Sequence, residues 1–333
     1  MWYRLLASRA ILLSIVALTV LVASTFAYFS WTRKDTFPLI QTDPTLATLR
    51  KVDTYPVYEM TYNGDYKFEE YLKKGEWPRL EVKPACSCFA ALSEQPVYGR
   101  NFDFPSNPVL VLHTSPPGRY ASLSTVDLGY FGFDMQHPPD SGDLSRLLET
   151  PYLPFDGMNE KGVFVAMMAV EMAEGSNDLD KLTIGEIEVI RLVLDHASNL
   201  DEALDLMDSY NIEFTEPPIH YLIADKSGAS AVVEYLKGEM KIIRNTEPWQ
   251  VSTNFIITGS DAPNQVPCWR YRIVYDTLCE KAGALTSGDA MSLLQKVSQQ
   301  NTLWSAVYDP EDLEMSLAVG GNYGNVLSFK LKK

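Results

Sequence analysis

Cysteine and histidine are scarce in this chain of 333 residues, with four of each. Four cysteines, Cys86, Cys88, Cys268 and Cys279, are too few to form a disulfide scaffold, so the fold must rest on a hydrophobic core. No Cys-x-x-Cys or His-Glu-x-x-His is present, and His113, His137, His196 and His220 are scattered. A zinc site therefore has no ligand set, and a Cys–His dyad has no signature. Basic residues are outnumbered too, 28 Lys and Arg against 43 Asp and Glu, for a formal net charge of −15. That excludes a nucleic-acid partner, which needs clustered cations to neutralise phosphates. What is present, 46% hydrophobic and 21% charged residues, is ordinary for a folded globular protein and excludes disorder throughout.

One long apolar run stands out. Ala10 to Phe29 carries no charge and is flanked by Arg4 and Arg9 before it and Arg33 and Lys34 after it. About 20 apolar residues span a bilayer, whereas the core of a cleavable signal peptide is usually about 7–15. The run over 10–29 reads as an uncleaved membrane anchor, with a signal peptide cut near Thr25-Phe26-Ala27 as the alternative. Residues 1–34 form this segment, and 35–53, polar and aperiodic, read as a linker. The long acidic remainder is expected outside the cytoplasm, membrane-anchored or secreted.

The chain is organised around Ala85-Cys86-Ser87-Cys88-Phe89 and, a turn later, Tyr98-Gly99-Arg100-Asn101-Phe102-Asp103-Phe104. Cys86 to Leu92 and Val97 to Phe104 read as the arms of a β-hairpin around the turn cluster Ser93-Glu94-Gln95-Pro96. With Ser93 facing Pro96, Cys86 lies directly opposite Asp103, and opposed Cβ atoms are only about 4.5–5.5 Å apart. Arg100 and Asp103, three apart, point to opposite faces of an ideal pleat, so a shared site asks for a bulge near Asn101.

Cys-Ser-Cys-Phe followed by Gly-Arg-Asn-Phe-Asp-Phe resembles the choloylglycine-hydrolase family, which includes bile-salt hydrolases, penicillin V acylases and acid ceramidases. The resemblance implies an N-terminal-nucleophile (Ntn) hydrolase, in which cleavage before Cys86 makes that cysteine the first residue of the catalytic chain, 86–333. Cys88 is the rival, but Cys-Phe-Ala-Ala breaks the family pattern. Two further stretches are similar to the family. Asn159-Glu160-Lys161-Gly162 precedes an apolar strand, and its alignment puts Ala169 where bile-salt hydrolases carry an oxyanion-hole asparagine, so only a backbone N–H would serve there. Ser252-Thr253-Asn254-Phe255 puts Asn254 at the family's side-chain oxyanion donor. Arg270, with Arg272 in reserve, matches a family arginine at a helix start.

Periodicity alone supports an α+β fold with antiparallel sheets; the resemblance implies the αββα four-layer sandwich. Tyr55–Tyr62 reads as a strand and Tyr66–Lys74 as a helix, so 54–85 looks folded, either a removable propeptide or a retained small subunit. Thr183 to Glu186 reads as a capping box ahead of a buried helix. Tyr130, Phe131 and Phe133 are candidates for the wall of an acyl pocket.

An N-terminal cysteine needs no histidine base. Its own α-amine, with a pKa of about 7.7–8.0, can take the thiol proton and return it to the leaving amine. In this scheme Asp103 orients the amine, Arg100 favours the thiolate, and Asn254 with the Ala169 backbone stabilises the oxyanion. The reading is a hydrolase of linear N-acyl amides working through an acyl-thioester, with a small-molecule substrate and no metal or organic cofactor. An acyltransferase using an amine acceptor, an inactive tethered binding protein and a histidine-dependent cysteine peptidase remain as alternatives.

Overall fold

The structure, a computed structural model, describes residues 43–75, 85–140, 142–265 and 267–332. The apolar run 10–29, residues 35–42 of the expected linker and residues 76–84 lie outside the described residues.

Strands β1 (Arg50–Lys51), β2 (Val57–Tyr62), β3 (Ala85–Ala91), β4 (Val97–Asp103), β5 (Val109–Thr114) and β6 (Ser122–Asp127) make up the first third. Strands β7 (Asp156–Asn159), β8 (Phe164–Ala169), β9 (Thr183–Gly185), β10 (Asn211–Glu213), β11 (Ile219–Ala224), β12 (Ser230–Leu236) and β13 (Glu239–Arg244) follow. Strands β14 (Trp249–Ser252), β15 (Thr302–Asp309), β16 (Glu314–Val319) and β17 (Leu327–Lys330) complete the set. They form a nine-stranded sheet, β1-β2-β5-β6-β7-β8-β11-β12-β13, and a six-stranded sheet, β14-β3-β4-β15-β16-β17.

The sheets face each other through β3 and β8. Helices Glu188–His196 and Leu200–Asp208 cover the larger sheet, and helices Trp269–Glu280 and Ser287–Lys296 cover the smaller one. This is the expected αββα sandwich. Because β8 is buried on both faces, it reads as the unbroken apolar run Phe164-Val165-Ala166-Met167-Met168-Ala169, and β11, buried likewise, breaks the pattern only at His220 and Tyr221.

Three local expectations are corrected. Thr183–Gly185 is a strand, β9, paired in parallel with β10. The helix after it starts at Glu188 without a side-chain cap, because the Glu186 carboxylate is taken by Thr215 instead. The stretch expected as linker holds a 3₁₀ turn, Leu46–Thr48, and β1. The hairpin register is one residue off the expected one: Cys86 faces Phe102, and Asp103 faces Ala85. The connection is longer than two residues because Leu92 and Ser93 donate their N–H groups to Pro248 and Gly283, leaving Ala91 and Val97 as the last pair.

The segment before Cys86 is built into the core. β2 lies between β1 and β5, in parallel register with β5, the exception in an otherwise antiparallel sheet. Val57, Tyr58, Met60, Phe68 and Leu72 are buried. Two tyrosines of this segment end on buried carboxylates: Tyr66 Oη donates to Asp195 Oδ2 at 2.6 Å and Tyr71 Oη to Glu188 Oε1 at 2.7 Å.

Burial pushes the Glu188 carboxyl up to about 7, against the lowering hydrogen bond from Tyr71, and pushes Glu186 to about 8. A carboxyl whose folded pKa is raised favours folding fully below its unfolded pKa, and that contribution is lost as pH rises through the folded value. For Glu188 the difference is on the order of 3 kcal/mol. The uncut chain is therefore expected to melt roughly 5–10 °C higher near pH 5 than near pH 8.5. Calorimetry checks this, and Glu188→Gln should remove part of the pH dependence, leaving the part due to Glu186.

Candidate active site

The alternation of β3 and β4 sorts the site residues by face. Cys86 and Cys88 point between the sheets with Arg100 and Phe102, their cross-strand partners. Ser87, Asn101 and Asp103 point the other way, toward helices Trp269–Glu280 and Ser287–Lys296. The irregularity expected near Asn101 lies instead in the facing strand, between Thr302 and Trp304 of β15. No bulge in β4 is needed, because the inward face meets the Cys86 thiol and the outward face meets its backbone.

Three side chains hold the three polar parts of Cys86. The Cys86 N–H donates to Asn254 Oδ1 at 2.7 Å. Its carbonyl accepts from Arg270 Nη1, and its Sγ lies 3.7 Å from Arg100 Nη2. Arg270, the second residue of helix Trp269–Glu280, also donates to Ser87 Oγ at 2.9 Å and to Asn254 Oδ1 at 2.8 Å, and lies 3.5 Å from Asp103 Oδ2. The reserve, Arg272, bonds to Pro263 and Asn264 and stays outside this group.

Asn254 joins the two sheets, since its Nδ2 donates 2.7 Å to the carbonyl of Ala169 at the end of β8. Ala169 thus meets the site through its carbonyl in the uncut chain. Asp103 accepts from Gln299 and Thr302, and burial pushes its carboxyl above the usual range against those bonds.

Arg100 is wholly buried. Its Nε is 2.7 Å from Asp156 Oδ2, a close ion pair off the line of a hydrogen bond, and its Nη1 donates to the Met167 carbonyl. Asp156 accepts in turn from Thr125, Trp304 and Tyr308. Burial pushes the Cys86 thiol up to about 11; Arg100 and Arg270 pull it down and Asp103 pushes it up. Cys88 is driven higher still by burial, with Arg100 only partly offsetting it. In the uncut chain burial thus works against the thiolate, and the two arginines work for it.

Sequence reasoning thus named Cys86, Arg100, Asp103, Ala169, Asn254 and Arg270, and the fold brings all six together. It missed Ser87, Asp156, Gln299 and Thr302. Asp156 had a faint signal, a carboxylate directly after Leu153-Pro154-Phe155; Gln299 and Thr302 had none. Tyr130 and Phe131 line a cavity of about 670 Å³ with Tyr71, Tyr152 and Leu153, while neither Phe133 nor Cys86 lies on its wall. Cys268 and Cys279 are both free, separated by helix Trp269–Glu280. Among the described residues no group of His, Cys, Asp and Glu could hold a metal ion, and no helix is long and apolar enough to cross a membrane.

Comparison with known proteins places the chain. Penicillin V acylase from Agrobacterium tumefaciens is similar in fold, with a TM-score of 0.51 at 16% identity over 74% of this chain and 86% of that one. A conjugated bile acid hydrolase from Clostridium perfringens gives 0.55 at 15% identity over 74% and 92%. Among curated proteins, the uncharacterized protein A284L of Paramecium bursaria Chlorella virus 1 is 35% identical over 109 residues, 30% of this chain; the match spans only 38% of that protein. The family model for linear amide C-N hydrolases, choloylglycine hydrolase family, matches residues 88–255, taking in Arg100, Asp103, Ala169 and Asn254 and starting two residues past Cys86. That match covers half of the sequence, and the chain belongs to the choloylglycine hydrolase family of linear amide C-N hydrolases.

Proposed function

We propose that this protein hydrolyses the C–N bond of a small linear N-acyl amide, with Cys86 as the nucleophile once the bond after Ala85 is cut. The observation that carries the reading is the three-way hold on Cys86: Asn254 on its nitrogen, Arg270 on its carbonyl and Arg100 beside its thiol. Cys88 has no such hold on its nitrogen and its thiol is harder to ionise.

Cutting turns the Cys86 nitrogen from an amide into an amine, which supplies the proton acceptor that the buried thiol lacks. Sγ transfers its proton to that amine and attacks the substrate carbonyl. The C–N bond breaks, the leaving amine takes the proton, and the acyl group stays on sulfur as a thioester. Water, deprotonated by the same amine, releases the acid and restores the thiol. The cut itself cannot borrow that amine and runs as an N-to-S acyl shift: Sγ attacks the Ala85 carbonyl, its proton passes to the Cys86 nitrogen as the C–N bond breaks, and water, deprotonated by the new amine, hydrolyses the resulting thioester to free the Ala85 carboxylate and restore the thiol. The Asn254 Nδ2 amide, once turned from the Ala169 carbonyl it bonds in the uncut chain, would donate to the oxyanion with a backbone N–H near Ala169, and Asp103 would hold the new amine. The uncharged run 10–29 supports an N-terminal membrane anchor with the catalytic part outside the cytoplasm.

Intact mass and N-terminal sequencing of purified protein are expected to find a chain starting at Cys86. Its partner, ending at Ala85, is expected to co-elute in native chromatography and to separate only on unfolding, since β2 and its apolar neighbours are buried in the larger sheet. A protein that hydrolyses amides as one continuous chain would sink the amine-as-base mechanism. Loss of the smaller fragment without loss of fold would make the segment a removable propeptide.

A further inference from the structure

His220 and Glu234 take no part in the chemistry above, yet they grip the segment that carries Asn254. They lie opposite each other on β11 and β12, in line with the pairs Tyr221–Val233 and Leu222–Val232, and both are fully buried. His220 Nδ1 is 3.2 Å from Glu234 Oε1, and Nε2 is 2.7 Å from the Thr253 carbonyl oxygen, with Ser252 Oγ at 3.1 Å. The ring thus bridges a carboxylate on its own sheet and the backbone carbonyl of the residue before Asn254. Glu234 continues the grip, accepting from the Ile257 N–H at 2.7 Å and the Thr258 N–H at 2.9 Å. Burial pushes its carboxyl up, but hydrogen bonds from His220, Thr258 and Ile257 outweigh that and leave it below its usual range.

The pair therefore belongs to the nine-stranded sheet and holds residues on both sides of Asn254, just where the chain leaves β14 of the six-stranded sheet. A buried polar contact of this kind is a weak source of stability compared with apolar packing of the same volume. Its placement has a geometric consequence instead: it sets where the Asn254 amide stands relative to the Cys86 nitrogen.

We propose that His220 and Glu234 are positioning residues for Asn254, fixing the 253–258 segment so that the Asn254 side chain meets the nitrogen of Cys86. This rests on the Cys86 reading above. A misplacement of about 1 Å at a reacting group can cost on the order of 10²-fold in rate. The test uses the full chain, with self-cleavage before Cys86 followed over time by mass and an aryl anilide of phenylacetic acid as the external probe. His220→Leu is expected to slow self-cleavage and lower kcat by about 10–100-fold with KM changed less than about 3-fold. His220→Gln, whose amide can still donate to the Thr253 carbonyl, is expected to recover most of the loss. If His220→Leu does not fold, Glu234→Gln decides by the same readouts. Wild-type rates in a folded His220→Leu, or a loss in KM alone that Gln does not rescue, overturn the proposal. An uncut wild type that hydrolyses the anilide would instead overturn the Cys86 amine mechanism, so the two failures are told apart.

Discussion

A chain carrying Cys86→Ala is expected to stay uncut between Ala85 and Cys86 and to release no acid from an N-acyl amide above background. Removing a nucleophile leaves only what binding and oxyanion donors supply, so the loss should be on the order of 10⁴-fold or more in kcat. Mass and product release measure it. The contrast lies two residues on. Cys88→Ala removes a buried thiol that shares the inward face with Cys86 but holds no contact to Asn254 or Arg270. It is expected to cut normally and to keep kcat within about 3-fold, at a stability cost of about 1 kcal/mol for the small cavity. If Cys88→Ala blocks the cut and Cys86→Ala does not, the two cysteines exchange roles and the Asn254 contact loses its meaning.

Arg100→Leu is expected to have the second largest effect, and on two properties at once. It strips the buried Asp156 carboxylate of its cation, although Thr125, Trp304 and Tyr308 still donate to it. Breaking a buried pair from one side costs about 3–5 kcal/mol, which for a chain of this size is about 10 °C in Tm. It also removes the positive charge 3.7 Å from the Cys86 thiol, so the thiol of the processed enzyme should titrate higher and alkylate more slowly at neutral pH. Adding Asp156→Asn removes the orphaned charge. The double variant should recover much of the melting temperature and none of the thiol reactivity. Recovery of both would mean that Arg100 serves packing only.

The hairpin, the three-stranded meander β11 to β13 and the helices on both faces could be read from alternation, turn residues and apolar stripes, because those signals are local. The sequence offers Asn199 or Ser198 as the cap of helix Leu200–Asp208, and it is the Asn199 side chain that accepts from the Glu202 N–H. The Thr183 to Glu186 box failed because Glu186 found a tertiary partner in Thr215 and the preceding residues a strand partner in β10. The register failed by one residue because the hairpin loop bonds to Pro248 and Gly283, which lie far along the chain. Of the site, Cys86, Arg100, Asp103, Asn254 and Arg270 were visible in motifs. Gln299, Thr302, Glu234 and the grip of His220 on Thr253 were not, since each depends on which strand ends come together where the two sheets meet.

The parallel pairing of β2 with β5 sets an order of events. Val109-Leu110-Val111-Leu112 is buried on both faces, and without β1 and β2 it would be an open apolar edge, a template for aggregation. A protein synthesised directly from Cys86 would start life with that edge bare. On the reading proposed here the peptide bond before Cys86 therefore acts as a latch: it keeps the amine, and with it the nucleophile, silent while the chain is made. The machinery that opens the latch, drawn from β3, β4, β8, the segment after β14 and the helix beginning at Trp269, exists only after both sheets have closed. Latency and folding quality control are then one device, because a misfolded copy never becomes reactive.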